Sequence, residues 1–189
     1  MKIVLASSNK HKVQEINDIV EGTGLEFILP PEGFDPVETG KTFEENSYIK
    51  AHAAWGLSKT WVLADDSGLC IDALKGKPGI YSARYAETPA LRIERVLKEL
   101  EGIKDRNAHF TCSMTLLNPQ GEIEYKVQGI CEGGIIKETR GTNGFGYDPI
   151  FLVKGDTRTM AELSEEEKNQ VSHRSNALRK ILEHLKKLV

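Results

Sequence analysis

Ala64-Asp65-Asp66-Ser67-Gly68-Leu69 follows the apolar run Trp61-Val62-Leu63-Ala64. The run reads as a buried strand and the hexapeptide as its exit. Strand side chains alternate between faces, so Asp65 and Asp66 point opposite ways while the strand stays regular. One faces a cleft, and the other braces the chain that follows. Ser67-Gly68 offers a turn, and the missing Cβ of Gly68 allows close approach to the backbone. A carboxylate at the end of an inner strand can hold Mg²⁺ or accept a proton from water. Asp, Ser and Gly are also ordinary turn residues, so a polar strand exit with no chemistry explains the same letters.

Upstream, Lys2 to Ala6 forms a second short apolar strand, followed at once by Ser7-Ser8-Asn9-Lys10-His11-Lys12. Val13, Ile16 and Val20 then recur at helical spacing, which places the polar run at a strand-to-helix junction. Free N–H groups at a helix start suit phosphate, and two hydroxyls, an amide and Lys12 add donors. The glycine and Gly-Lys-Ser/Thr spacing of a Walker loop is absent. Ser8 or Asn9 acting as a plain helix cap is the other reading. Leu25 to Leu29 reads as a strand, ended by Pro30-Pro31-Glu32-Gly33 and an acidic loop through Glu38. Thr42 and Glu45 fit a capping box that opens a helix, on which Asn46 and Lys50 share a face. Lys50 there meets either a phosphate or solvent, and Glu38 is a candidate second carboxylate for a metal.

Downstream, Leu69 to Leu74 reads as extended and Lys75-Gly76-Lys77-Pro78-Gly79 as a turn. Thr88-Pro89 fits the start of a helix marked by Leu91, Val96, Leu97 and Leu100. Phe110, Cys112, Met114 and Leu116 alternate with Thr111, Ser113 and Thr115; after Asn118-Pro119-Gln120-Gly121, Ile123, Tyr125 and Val127 alternate with Glu122, Glu124 and Lys126. This predicts an antiparallel pair with one buried face. Gly141-Thr142-Asn143-Gly144-Phe145-Gly146-Tyr147-Asp148-Pro149 lets the backbone fold close to a flat ligand, with Phe145 or Tyr147 stacking on a base. The same loop could instead turn its aromatics into the core. Ser164 to Glu167 fits a capping box for a helix carrying Lys168, and Ser172-His173-Arg174 opens a last helix with a core stripe at Leu178, Ile181, Leu182 and Leu185.

The chain has 189 residues, 39% hydrophobic and 28% charged, which suits one soluble globular domain. A net charge of -3 supplies no basic field for nucleic acid, so phosphate recognition must be local. Cys70, Cys112 and Cys131 match no zinc spacing and point to a reducing compartment. No segment reads as a signal peptide or a membrane span, so the cytoplasm is expected.

Several blocks together resemble a known family. Ser7-Ser8-Asn9 to Lys12, Thr42-Phe43-Glu44-Glu45-Asn46 to Lys50-Ala51, Ala64 to Leu69, Pro78-Gly79-Ile80-Tyr81-Ser82-Ala83-Arg84, Gly144-Phe145-Gly146-Tyr147-Asp148-Pro149 and Ser172-His173-Arg174 occur in order across nearly the whole chain. They are similar to the inosine triphosphate pyrophosphatases, which hydrolyse non-standard purine triphosphates such as ITP, dITP and XTP. The first block carries Ser7-Ser8 where many relatives have Thr-Gly. The resemblance implies an elongated, two-lobed α/β fold, its central curved mixed sheet flanked by helices and its active site in the cleft between lobes. Residues 1–189 would form a single nucleoside triphosphate pyrophosphatase domain. It also implies a homodimer, Mg²⁺ and no nucleic-acid or membrane partner. Carried over by position, Asp66 is the general base and a metal ligand, with Glu38 the second ligand. Ser7, Ser8, Asn9, Lys10, His11, Lys12, Lys50 and Ser67 would hold the phosphates. Phe145, Gly146, Tyr147, Asp148, Lys168, His173 and Arg174 would contact the nucleotide. Two other readings are a Maf-type nucleotide pyrophosphatase, which lacks the Phe-Gly-Tyr-Asp and Ser-His-Arg blocks, and a non-catalytic nucleotide-binding protein.

Overall fold

The computed structural model describes residues 1–188, and the side chain of His11 lies outside the description. Six strands form one sheet in the order β2-β1-β3-β4-β5-β6. They are β1 (Lys2–Leu5), β2 (Glu26–Ile28), β3 (Trp61–Ile71), β4 (Asn107–Leu117), β5 (Ile123–Ile135) and β6 (Phe151–Val153). Helices α1 (Lys10–Val20), α2 (Phe43–Ser58), α3 (Pro89–Glu99), α4 (Glu165–Val171) and α5 (His173–Leu185) complete an α/β fold. β1 runs parallel to both β2 and β3, whereas β5 and β6 are antiparallel, so the sheet is mixed, as expected. Parallel neighbours need crossovers, and α1 and α2 supply them.

The chain divides into two compact units. One holds residues 1–66, 113–128 and the segment from Ala177; the other holds residues 67–112 and 129–176. The first has a core of Val4, Ala6, Ala51, Ala54, Val62, Ala64 and Leu117. The second is built around Leu69, Ile71, Val96, Leu100, Phe110, Ile150, Phe151 and Met160.

Small residues let α2 lie close in the first unit. Its buried positions are Asn46, Ser47, Ala51 and Ala54. Thr42 Oγ1 accepts the Glu45 N–H at 3.1 Å, a cap worth about 1 kcal/mol. Glu45 does not return the bond to Thr42. Its Oε2 accepts the Lys41 N–H at 2.6 Å, so the expected reciprocal box is replaced by a bond one residue earlier. The box at Ser164 and Glu167 is complete, and Thr88 caps α3 with Pro89 in its first turn.

Three expectations are corrected. Ser67-Gly68 is no turn, because β3 runs unbroken to Ile71. Its far half is held by other partners: the Leu69 N–H donates to Ser82 Oγ at 2.9 Å and the Ile71 N–H to the Lys77 carbonyl at 3.2 Å. The extension ends there, and Asp72–Leu74 is a 3-10 turn. β4 is not one-faced either. Thr111, Ser113 and Thr115 are all buried alongside its apolar residues. Buried hydroxyls require partners. Thr115 Oγ1 lies 2.7 Å from Ser47 Oγ of α2, and Ser113 Oγ accepts from Gln128 Nε2 at 2.9 Å. The partly exposed face falls instead on β5, where Ile123 is exposed and Tyr125 and Val127 half-buried.

Candidate active site

Lys50 organises the first unit's charged centre. Its Nζ lies 3.1 Å from Glu38 Oε1 and 3.4 Å from Asp66 Oδ1. Sequence spacing put Lys50 and Asn46 on one face of α2, and both turn toward β3. Burial lowers the Lys50 pKa, but the carboxylates Asp65, Asp66 and Glu38 outweigh it and leave the ammonium more basic than usual. Asp66 is pushed up to about 6, chiefly by burial, with Glu38 adding to the rise while Lys50 and an Asn46 hydrogen bond oppose it. Asp66 Oδ2 is buried and accepts no hydrogen bond among the described residues. An unmatched buried carboxylate oxygen is costly unless a ligand completes it. No group of three or more His, Cys, Asp or Glu among the described residues is arranged as a metal cage. Mg²⁺ needs no such cage, since one or two carboxylates, phosphate oxygens and water satisfy it. Glu38 and Asp66 fit that requirement.

Asn46 is the residue that sequence reasoning placed but did not assign. It is 1% exposed, and its Oδ1 accepts the Gly40 N–H at 2.8 Å. A Cβ on Gly40 would stand 2.5 Å from that oxygen, so glycine is required for the loop bearing Glu38 to reach α2. Asn46 thus ties that loop and Asp66 to one helix. Its signal in the sequence was its spacing of four from Lys50.

The polar run after β1 sits at the start of α1, as expected. Ser7 Oγ accepts the Asn9 N–H at 3.1 Å, and Asn9 Oδ1 accepts the Lys12 N–H at 3.4 Å, so Asn9 caps the helix. Ser8, Asn9 and Lys10 are exposed; His11 falls outside the described side chains. Lys12 does not extend into solvent. Its Nζ spans both oxygens of Asp65, at 3.0 and 3.1 Å, and Asp65 is 6% exposed. The two adjacent aspartates therefore take different lysines, Asp65 from α1 and Asp66 from α2.

In the second unit the glycine-aromatic loop builds a compact cluster. Lys168 Nζ donates to Asp148 Oδ2 at 2.6 Å, and the same oxygen accepts the Phe145 N–H at 3.1 Å. Lys168 stands 4.6 Å from the Phe145 ring centroid and the Arg174 guanidinium 5.8 Å. Phe145 itself is 64% exposed. A flat ring with two cations on it and an open face suits a purine. Gly144, at φ +72°, permits this: an added Cβ would lie 2.2 Å from Asp148 Oδ2. Gly146 also turns at positive φ. Tyr147 goes the other way. It is 5% exposed, and its hydroxyl donates to the Ser82 carbonyl at 2.7 Å, which leaves Phe145 as the loop's exposed ring. His173 stacks on Phe110 with centroids 4.8 Å apart. Ser67 lies half-buried within β3.

The first unit thus carries a two-carboxylate, one-lysine centre and the second a cation-flanked aromatic loop on an α/β fold, and the chain's relatives give that fold its class. Residues 3–184 match the Ham1 family. The chain is 47% identical over 195 residues to the dITP/XTP pyrophosphatase of Treponema denticola, covering 98% of this chain and 99% of that protein. It is 46% identical to the dITP/XTP pyrophosphatase of Bacillus licheniformis, covering 95% of each. Among solved structures, the Staphylococcus aureus Ham1 protein superposes with a TM-score of 0.93 at 41% identity, covering 100% of both chains. A HAM1 protein from Coxiella burnetii gives 0.92 at 43% identity, covering 99% of both. The chain belongs to the Ham1 family.

Proposed function

We propose that this chain is a Mg²⁺-dependent pyrophosphatase that hydrolyses ITP, dITP and XTP to the monophosphate and pyrophosphate, and so clears non-standard purines from the nucleotide pool. The observation that carries the reading is the Glu38–Lys50–Asp66 centre with Asp66 Oδ2 left over. Glu38 and Asp66 would hold the metal, which when bound neutralises charge on the phosphate oxygens. Lys50 fixes both carboxylates before substrate arrives, so little reorganisation is needed at the moment of reaction. Asp66 Oδ2 accepts a proton from the attacking water as its oxygen bonds to phosphorus and the α–β anhydride breaks. In the metal-free protein, burial makes this carboxyl less acidic than an ordinary aspartate.

The N–H groups and hydroxyls at the start of α1 are phosphate donors of the type a helix N-terminus provides. Ser67 adds a hydroxyl. Lys12, held on Asp65, positions that carboxylate and lends positive charge to the same region. For the base, hypoxanthine and xanthine carry an acceptor at C6, where adenine has a donor. Lys168 and Arg174 are donors beside the exposed Phe145 face, which favours the oxo bases. Asp148 orients Lys168 and the Phe145 backbone, since its Oδ2 is already committed to both. Tyr147 and His173 support the loop and the start of α5 from within.

The same reading makes residues 1–189 one catalytic domain and the active species a cytoplasmic homodimer, without nucleic-acid or membrane partners. No described helix is long and apolar enough to cross a membrane. The test is pyrophosphate release from ITP, dITP, XTP, GTP and ATP with and without Mg²⁺. ITP, dITP and XTP turned over far ahead of ATP, only with the metal, is the expected result. Equal turnover of ATP would return the chain to a general triphosphatase. No turnover at all would favour a non-catalytic nucleotide binder.

A further inference from the structure

Pro78-Gly79-Ile80-Tyr81-Ser82-Ala83-Arg84 carries no group that the proposed chemistry uses. Gly79–Arg84 is a 3-10 helix in the second unit. It follows a segment that runs along the far half of β3, where Pro78 bridges to Cys70 and the Lys77 carbonyl accepts the Ile71 N–H. A 3-10 helix turns every third residue the same way. Tyr81, Ala83 and Arg84 are exposed, while Ser82 faces inward and is 7% exposed. A buried hydroxyl needs partners, and this one has two. It donates to the Gly79 carbonyl at 2.6 Å, one turn back, and accepts the Leu69 N–H of β3 at 2.9 Å. The main chain of the same residue takes a third bond, because the Ser82 carbonyl accepts the Tyr147 hydroxyl at 2.7 Å. Burial pushes the Tyr147 phenol up to about 12, so it stays a donor at neutral pH.

Ser82 therefore ties a strand to the glycine-aromatic loop within one unit. Tyr147 passes that anchorage on. Its ring is buried in the same core as Leu69 and Ile71, and its carbonyl accepts the Ile150 N–H at 3.1 Å. The next residue, Asp148, holds both the Phe145 N–H and Lys168. With the tyrosine pinned inward, Phe145 two residues earlier is fixed beside Lys168 and Arg174. We propose that Ser82 is a specificity-determining positioning residue: without touching the nucleotide, it anchors the loop on β3 so that Phe145, Lys168 and Arg174 meet the base in one arrangement. This rests on the reading of that loop as the base site. Donors reject an amino group at C6 only if they cannot move away from it, and a loop released from β3 lets adenine settle as hypoxanthine does.

Calorimetric titration with IMP and AMP, without metal, reads the base alone, since the two ligands share ribose and phosphate. The parent is expected to bind IMP more tightly. Tyr147→Phe removes only the phenol oxygen, and Ser82→Ala only the hydroxyl. Each is expected to narrow the ratio of the AMP and IMP Kd values by about threefold to tenfold, the span of one hydrogen bond. Tyr85→Phe is the control. Its hydroxyl bonds Glu99, and its ring belongs to the same core but not to the loop, so it should lower Tm and leave the ratio alone. Circular dichroism checks folding, and Tyr147→Phe decides the matter where Ser82→Ala does not fold. A parent with no preference for IMP overturns the base-site reading and this proposal with it. A preference that survives Tyr147→Phe intact, or that Tyr85→Phe narrows as much, overturns the proposal alone.

Discussion

Replacing Gly144 with alanine tests the nucleotide loop at its tightest point. The residue sits at φ +72°, where an L side chain costs about 1 kcal/mol. The new Cβ would also stand 2.2 Å from Asp148 Oδ2 and 3.0 Å from Lys168 Nζ. Asp148 is 4% exposed and short, so it cannot swing into solvent without giving up its partners. Moving it loosens the 2.6 Å bond from Lys168 and the 3.1 Å bond from the Phe145 N–H. A hydrogen bond to a charged group is worth about 1.5–3 kcal/mol. Together these predict a loss of about 3 kcal/mol and, for a chain of this length, a fall in Tm of about 6–12 °C. Catalysis should change unevenly. The carboxylates Glu38 and Asp66 are untouched, while Phe145 and Lys168 lose their fixed geometry, so KM for ITP should rise more than kcat falls. Thermal unfolding and steady-state kinetics on the purified variant give both numbers. A Gly144→Ala protein with the parent's Tm and KM would refute the account of this loop.

Other substitutions separate the remaining roles. Asp66→Asn should fold and lose about 10²–10⁴-fold in turnover, because its buried oxygen can no longer take a proton; near-parental rates in a folded variant would contradict this. Lys12→Ala should raise KM and also lower Tm, with a stability loss of about 1–3 kcal/mol, because it removes the ammonium that spans the buried Asp65 carboxylate; a change in KM alone would place Lys12 as a solvated phosphate contact. Arg174→Ala should narrow the ITP-to-ATP ratio of kcat/KM by about tenfold or more, in line with loss of a charged donor; an equal fall on both substrates would remove Arg174 from base reading.

Much of this architecture was legible because it depends on local chemistry. Thr88-Pro89, Ser164 with Glu167, and the stripe at Leu178 and Ile181 are short-range signals, and each sits where its spacing indicated. Asp66 and Lys50 were visible as candidates for the same reason. What eluded the sequence was set by distant partners. Ser67-Gly68 looks like a turn until Ser82 accepts the N–H of Leu69, thirteen residues before it, and keeps the strand going. Thr115 looks solvent-facing until the small residues of α2 bring Ser47 against it. That Lys12 meets Asp65, fifty-three residues away, with both carboxylate oxygens on its ammonium, has no signal in local spacing. Tyr147 and Phe145 are indistinguishable by letter, and only the Ser82 carbonyl decides that the tyrosine goes inward.

On the proposed function, the Asp66 centre cuts a non-standard purine triphosphate at the α–β bond. Phosphorus NMR of dITP turnover with Mg²⁺ tests it most directly, because each cleavage site leaves a different set of products. One pyrophosphate and one dIMP per dITP consumed are expected, and no such signal from the Asp66→Asn protein on the time scale of parental turnover. Orthophosphate with dIDP, or pyrophosphate still formed at the parental rate by Asp66→Asn, would contradict it.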